Sequence, residues 1–269
     1  AMTETATTGR ERIATAFANA TGRAALMPYY TLGYPDRQTS LAVVEAIAPH
    51  SDLLELGVPF SDPIADGPTI QQSTQQALAA GTTTAGCLDM VRELRARGVT
   101  TPAMLMGYYN PILAYGEERY VRDAAAAGAD GFIVPDLPPE EAATLEAAAN
   151  EAGLALIHFL APTSNPRRIA TVIERARGFI YMVSLTGVTG TGAGPTAGLP
   201  EFVRQIRAQA GVPIAVGFGI STPEQARQVA EFADGVIAGS ALIRAVASAE
   251  TGKPEAAAQF VRSLHSALR

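Results

Sequence analysis

The chain has 269 residues, 48% of them hydrophobic and 17% charged, which is enough apolar side chain for a large covered core and excludes a disordered chain. A net charge of -6 supplies no basic face, so nucleic acid is not an expected partner, and no apolar run approaches the ~18 residues of a membrane span. Cys87 is the only cysteine, which excludes an internal disulfide; with a Thr-rich, coreless N-terminus from Ala1 to Arg12, it points to an unexported cytoplasmic protein.

The length is close to the ~250 residues of one α/β barrel and no linker divides the chain. One domain over residues 1–269 is expected, with a flexible stretch at 1–8. Short β-rich apolar runs alternate with helical stretches, the pattern of a parallel sheet with helices outside. The first run is Leu26 to Thr31, with Tyr29 near its end. The second, Leu53 to Leu56, contains Glu55 and leads into a proline-stiffened loop, Pro59 to Pro68, that carries Asp62 and Asp66. Pro102 opens the third, Ala103 to Gly107, and Tyr108 follows it; the fourth is Gly131 to Val134. After the fifth, Leu154 to Leu160, Asn165-Pro166 joins a helix cap to a first-turn proline. The sixth, Phe179 to Ser184, enters a segment holding Gly187, Gly190, Gly192 and Gly194. Pro213 opens the seventh, Ile214 to Gly217; Phe218 and Gly219 follow, and Thr222 to Gln225 reads as a capping box. The eighth, Gly235 to Ala238, ends in Gly239 and Ser240. Asp52, Asp130 and Asp234 stand just before the second, fourth and eighth runs, a faint echo of a repeated βα unit. Eight such runs argue for a (β/α)8 TIM barrel with extra helices.

Active sites of such barrels lie at the C-terminal ends of the strands. The only lysine, Lys253, follows the last strand, so a Schiff-base lysine is excluded there. His50, His158 and His265 fall before a strand, within a strand and in the terminal helix, a spread that offers no metal cluster and no histidine base. Cys87, in a helical segment, reads as a buried thiol rather than a nucleophile.

Carboxylates and glycines remain. Glu55 interrupts a strand that should be buried on both faces, and an unpaired carboxyl there has a raised pKa suited to moving protons. Its ordinary alternative is a core arginine partner, but the nearby arginines fall in helices or loops. Asp62 and Asp66 are, by spacing alone, equally well explained as Asx turns or helix caps. Glycines at the ends of the sixth, seventh and eighth runs let backbone N–H groups approach an anion, and barrels often hold phosphate at a short helix there, which Ser240 is placed to cap. Tyr29, Tyr108 and Phe218 are candidate aromatic walls.

The segment LLELGVPFSDPIADGPTIQ, Leu53 to Gln71, closely resembles the hallmark of the tryptophan synthase alpha chain family. The likeness continues through Met104 to Pro111 (MLMGYYNP), Val134 to Pro138 (VPDLP), Ser184 to Gly190 (SLTGVTG), Val216 to Ile220 (VGFGI) and Ala238 to Ser240 (AGS). It implies retro-aldol cleavage of indole-3-glycerol phosphate to indole and glyceraldehyde 3-phosphate, with no metal or cofactor. By motif, Glu55 matches the proton-shuttling glutamate and Asp66 the aspartate that accepts from the indole nitrogen. Tyr181 matches a tyrosine near that glutamate, and Thr189 a threonine of a mobile loop. Gly190, Gly219, Gly239 and Ser240 match phosphate ligands, and Tyr29, Met106, Ile133 and Phe218 match the indole walls. Asp62 and Pro138 match positions facing a β chain, so the resemblance implies an α2β2 complex. It also makes the glycine-dense stretch 186–198 an expected lid. A free-standing indole-releasing lyase and a non-catalytic phosphate-binding barrel are the competing readings.

Overall fold

A computed structural model describes residues 7–183, 198–217 and 219–269. Eight parallel strands close into a barrel in chain order: β1 (Ala25–Thr31), β2 (Leu54–Gly57), β3 (Ala103–Met106), β4 (Gly131–Ile133), β5 (Ala155–Leu160), β6 (Ile180–Val183), β7 (Ile214–Gly217) and β8 (Gly235–Ala238). The expected runs match these strands to within a residue at each described end. Pro102 and Pro213 lie just before β3 and β7, where a missing N–H removes no ladder bond, and their carbonyls still accept from Leu54 and Ile180.

Twelve α-helices are present among the described residues: α1 (Gly9–Asn19), α2 (Arg37–Ile47), α3 (Pro68–Ala79), α4 (Thr84–Ala96), α5 (Tyr109–Tyr115), α6 (Glu117–Ala127), α7 (Ala143–Glu151), α8 (Pro166–Arg175), α9 (Leu199–Arg207), α10 (Pro223–Ala230), α11 (Ser240–Ser248) and α12 (Lys253–Ala267). Of the terminal stretch expected to be flexible, residues 1–6 lie outside the described residues, while Thr8 caps α1 in a reciprocal box with Glu11. Asn165 caps α8 through the Arg168 N–H, as its position before Pro166 predicts. The Thr222 hydroxyl likewise accepts from Gln225, but the return bond differs from a capping box. The Gln225 amide oxygen reaches Ser221 N–H instead of the cap residue's own, at 2.8 Å.

Side-chain alternation along the strands separates two cores. Outward residues such as Leu54, Leu56, Phe132 and Val216 pack under the helices, while inward ones such as Met27, Leu53, Met104, Ile157 and Ala215 fill the barrel. Helix α1 plugs the N-terminal end: Ile13, Ala16 and Ala20 join the inner core, and Phe17 meets Phe179 at 5.7 Å between ring centroids. The aspartate echo has a common structural role. Asp52, Asp130 and Asp234 each accept from the N–H of Leu26, Ala103 or Ile214 on the preceding strand, at 2.8 Å in all three cases. Each is also paired with arginine: Asp52 with Arg23, Asp130 with Arg12 and Arg95, Asp234 with Arg207. Before β6, Gly178 replaces the aspartate, and a Cβ there would press on Ala155 at 3.1 Å.

Candidate active site

At the C-terminal mouth of the barrel lies a cavity of about 230 Å³ whose lining includes Tyr29, Glu55, Asp66, Met106, Ile133, Tyr181, Gly219, Gly239 and Ser240. Residues separated by more than 200 positions meet there because closure of the barrel brings β8 beside β1. Thr189, Gly190 and Phe218 lie outside the described residues, as does most of the stretch 186–198. A larger groove of about 670 Å³ opens at the opposite end, around Arg23 and Arg207, where strands begin; it contains none of the candidate residues.

Glu55 points into the barrel from β2 and is only 2% exposed. No arginine answers it; its Oε2 is buried without a hydrogen-bond partner among the described residues. Burial, reinforced by the nearby Asp66 charge, pushes its pKa up to about 8. Asp66 is neither a helix cap nor an Asx turn: Gly67 caps α3, and it is the Asp66 carbonyl, not its carboxylate, that accepts from Gln71. Partial burial pushes Asp66 up to about 6, an effect opposed by the Tyr108 hydroxyl. The same environment therefore holds one acid neutral and the other ionised at pH 7, a division of labour suited to acid–base chemistry.

Tyrosines flank the pair. Tyr29 lies opposite Glu55 in the β1–β2 register, and Tyr181 enters from β6; burial raises both phenols, and the facing carboxylates raise them further. Two strand glycines make room for them. A Cβ at Gly57 would fall 2.1 Å from the Tyr29 oxygen, and one at Gly217 would fall 2.4 Å from that of Tyr181. The sequence suggests Tyr108 as a cavity wall, but the structure places it behind the Asp66 loop. There its hydroxyl accepts from the Ala65 N–H at 3.0 Å and its ring packs on Phe60 at 5.5 Å. Phe159, which sequence reasoning missed, forms an aromatic wall against Tyr181 at 4.8 Å. Its signal was the alternation of β5, which turns residue 159 inward with Ile157.

The glycine sites also differ from expectation in one detail. Gly239, not Ser240, is the N-cap of α11, so Ser240 is the first helical residue. Gly239 and Ser240 line the cavity, and the unpaired N–H groups of a first helical turn favour an anion. Gly219 has φ of +44°, a conformation open to glycine, and among the described residues, its chain neighbours aside, nothing lies within 4 Å of the place a Cβ would occupy. Among the described residues no group of three or more His, Cys, Asp or Glu side chains is arranged to hold a metal ion. Cys87 is buried on α4, and Lys253 donates to the Val246 and Ala249 carbonyls at the end of α11.

The chain resembles known proteins along nearly its whole length. A family profile described as tryptophan synthase alpha chain matches residues 16–268. The tryptophan synthase alpha chain of Chloroflexus aggregans is 50% identical over 260 residues, covering 95% of this chain and 97% of the relative. That of Geobacter sulfurreducens is 51% identical over 263 residues, covering 96% and 98%. Among solved structures, tryptophan synthase subunit alpha from Legionella pneumophila superposes with a TM-score of 0.88 at 38% identity, covering 96% of this chain and 98% of that one. The aminoacrylate-bound form of tryptophan synthase from M. tuberculosis gives 0.86 at 38% identity, with 96% and 99% covered.

Proposed function

The chain belongs to the tryptophan synthase alpha chain family, and from this we infer that Glu55 and Asp66 carry out its reaction, the cleavage of indole-3-glycerol phosphate to indole and glyceraldehyde 3-phosphate in L-tryptophan biosynthesis. The observation that carries the assignment is the two acids, set apart in proton affinity, on one small cavity. Neutral Glu55 gives its proton to indole carbon 3, which places positive charge on the ring nitrogen, and ionised Asp66 stabilises that charge. The Glu55 carboxylate then takes the proton of the glycerol hydroxyl next to the scissile bond. As the carbon–carbon bond breaks, its electron pair returns to the ring, releasing indole and the aldehyde and restoring neutral Glu55. Tyr181, beside Glu55, and Thr189 complete the assigned catalytic set, and Tyr29, Met106, Ile133 and Phe218 enclose the indole. Both acids sharing one cavity favours this reading over a non-catalytic phosphate-binding barrel.

In a plot of kcat/KM against pH, activity should rise as Asp66 ionises near pH 6 and fall as Glu55 loses its proton near pH 8. The two limbs belong to the pair acting together. A profile flat from pH 5 to 9 with substrate binding intact would remove both acids from the mechanism.

The phosphate group is assigned to Gly190, Gly219, Gly239 and Ser240, where backbone N–H groups and the α11 N-terminus supply the donors. Substitution at Gly239 presses on Tyr29 at 3.2 Å, so Ser240→Asp is the cleaner test. A carboxylate at a first helical position suits the helix dipole and spares the fold, yet opposes a dianion. Affinity for glyceraldehyde 3-phosphate, measured by calorimetry, should fall by about 10- to 100-fold, the worth of one charge-assisted hydrogen bond. Unchanged affinity would move the phosphate elsewhere.

The family implies a complex with a β chain, and we assign the contact face to the loops bearing Asp62 and Pro138, in an α2β2 assembly. Ile64, beside Asp62, is 82% exposed, an apolar side chain suited to burial by a partner. Co-expression with a β chain followed by mass measurement tests this against a free-standing lyase. No helix among the described residues is long and apolar enough to cross a membrane, and the cytoplasm is the proposed location.

A further inference from the structure

Beside Glu55 the barrel holds a run of three hydroxyls that the reaction as derived leaves without a role. Thr31, two residues beyond Tyr29 on β1, is fully buried; Ser73, buried as well, comes from α3, the helix into which the Asp66 loop leads. Ser73 Oγ donates to the Ile70 carbonyl at 2.8 Å, Thr31 Oγ1 lies 2.7 Å from Ser73 Oγ, and the Tyr29 hydroxyl lies 3.3 Å from Thr31 Oγ1. A carbonyl only accepts, so the Ser73 proton is committed to Ile70. The Thr31 proton then goes to Ser73, and the Tyr29 proton to Thr31. The chain therefore has one direction, from the cavity into α3.

We propose that Thr31 and Ser73 are positioning residues: they turn the Tyr29 phenolic proton away from Glu55, its partner in the β1–β2 register, so that this phenol gives the acid no proton to lean on and the neutral, proton-donating form of Glu55 is favoured. The role in turnover rests on the assignment of Glu55 as proton carrier. The titratable groups facing Glu55 are Asp66 from the following loop, Tyr29 from β1 and Tyr181 from β6; β3 offers apolar Met104 in register. Asp66 is the one charge among them, so the orientation of the two phenols decides what else the Glu55 carboxylate meets.

Thr31→Val keeps the shape of the side chain and removes the acceptor of the Tyr29 proton, which is then free to turn toward the Glu55 carboxylate opposite it in register and stabilise its charged form. The protonation midpoint of Glu55 should fall by about 1 to 2 pH units, the effect of one hydrogen bond to a charged group. Difference infrared spectroscopy reads this without reference to activity, from the carboxylic C=O band identified by its absence in Glu55→Gln. The alkaline limb of kcat/KM should move down by the same amount. Ser73→Ala, which releases only the far end of the chain, should shift the midpoint in the same direction by less. In a Tyr29→Phe background, Thr31→Val should shift nothing. An unchanged infrared midpoint in folded Thr31→Val and Ser73→Ala, or an equal shift in the Tyr29→Phe background, overturns the proposal. A midpoint that moves while the alkaline limb stays upholds the hydroxyl chain and instead overturns Glu55 as the acid of the reaction.

Discussion

Glu55→Gln is expected to lower turnover by roughly 10²- to 10⁴-fold, the range of a general acid–base group, while binding of a substrate analogue changes little. Glutamine keeps the size and hydrogen-bonding capacity of the side chain but carries no exchangeable acid, and Glu55 is assigned two proton transfers in one cycle. The buried setting adds weight, since Oε2 has no partner among the described residues and the other acid on the cavity, Asp66, is pushed up only to about 6. Asp66→Asn should also reduce turnover and spare ground-state binding, because the positive indole nitrogen that it answers exists only beyond the ground state. The effects should not add: with both acids serving one step, the double variant should be little worse than the poorer single one. Single-turnover indole release and analogue binding measure all of this. Turnover of Glu55→Gln within about tenfold of the parent would sink the assignment.

Asp130→Ala is expected to produce the largest loss of stability, about 3 to 5 kcal/mol, the cost of breaking a buried ion pair from one side. Its carboxylate is fully buried, and it accepts from Arg12, Arg95 and the Ala103 N–H together. Burial outweighs these partners and raises its pKa, a sign of how much the site depends on them. Removal takes the counter-charge from two guanidinium groups, which keep only carbonyl partners, and leaves the Ala103 N–H unanswered at the end of the barrel remote from the acids. The melting temperature should fall on the order of 10 °C, with kcat of the folded enzyme unchanged. Asp52→Ala should cost less, because Asp52 and Arg23 are 12% and 16% exposed and water partly replaces the lost partner. A melting temperature for Asp130→Ala within about 2 °C of the parent would contradict the argument.

Much of this molecule is set locally. Eight apolar runs, the proline before β3 and β7, and the Thr222 and Asn165 caps are short-range signals, and each appears in the structure within a residue of its expected place. Glu55 was legible for a similar reason: a carboxylate among leucines on a doubly buried strand is costly enough to require a purpose. The motif likeness identified the family from the chain alone, since its segments stand in order along nearly the full length. Spacing could not assign Asp66, because an aspartate before a glycine and a proline serves equally well as a turn or a cap. Only the packing of its loop beside Glu55, with Gly67 taking the cap, removed those alternatives. Tyr108 became a strut instead of a wall because its hydroxyl meets the Ala65 N–H across 43 positions of sequence. The same holds for the Tyr29, Thr31 and Ser73 chain and for the aspartates under the barrel: their partners come from other elements. Local sequence determines which residues form strands and helices and which faces are apolar. Closure of the barrel decides which polar atoms share a buried space, and with that their hydrogen bonds and proton affinities.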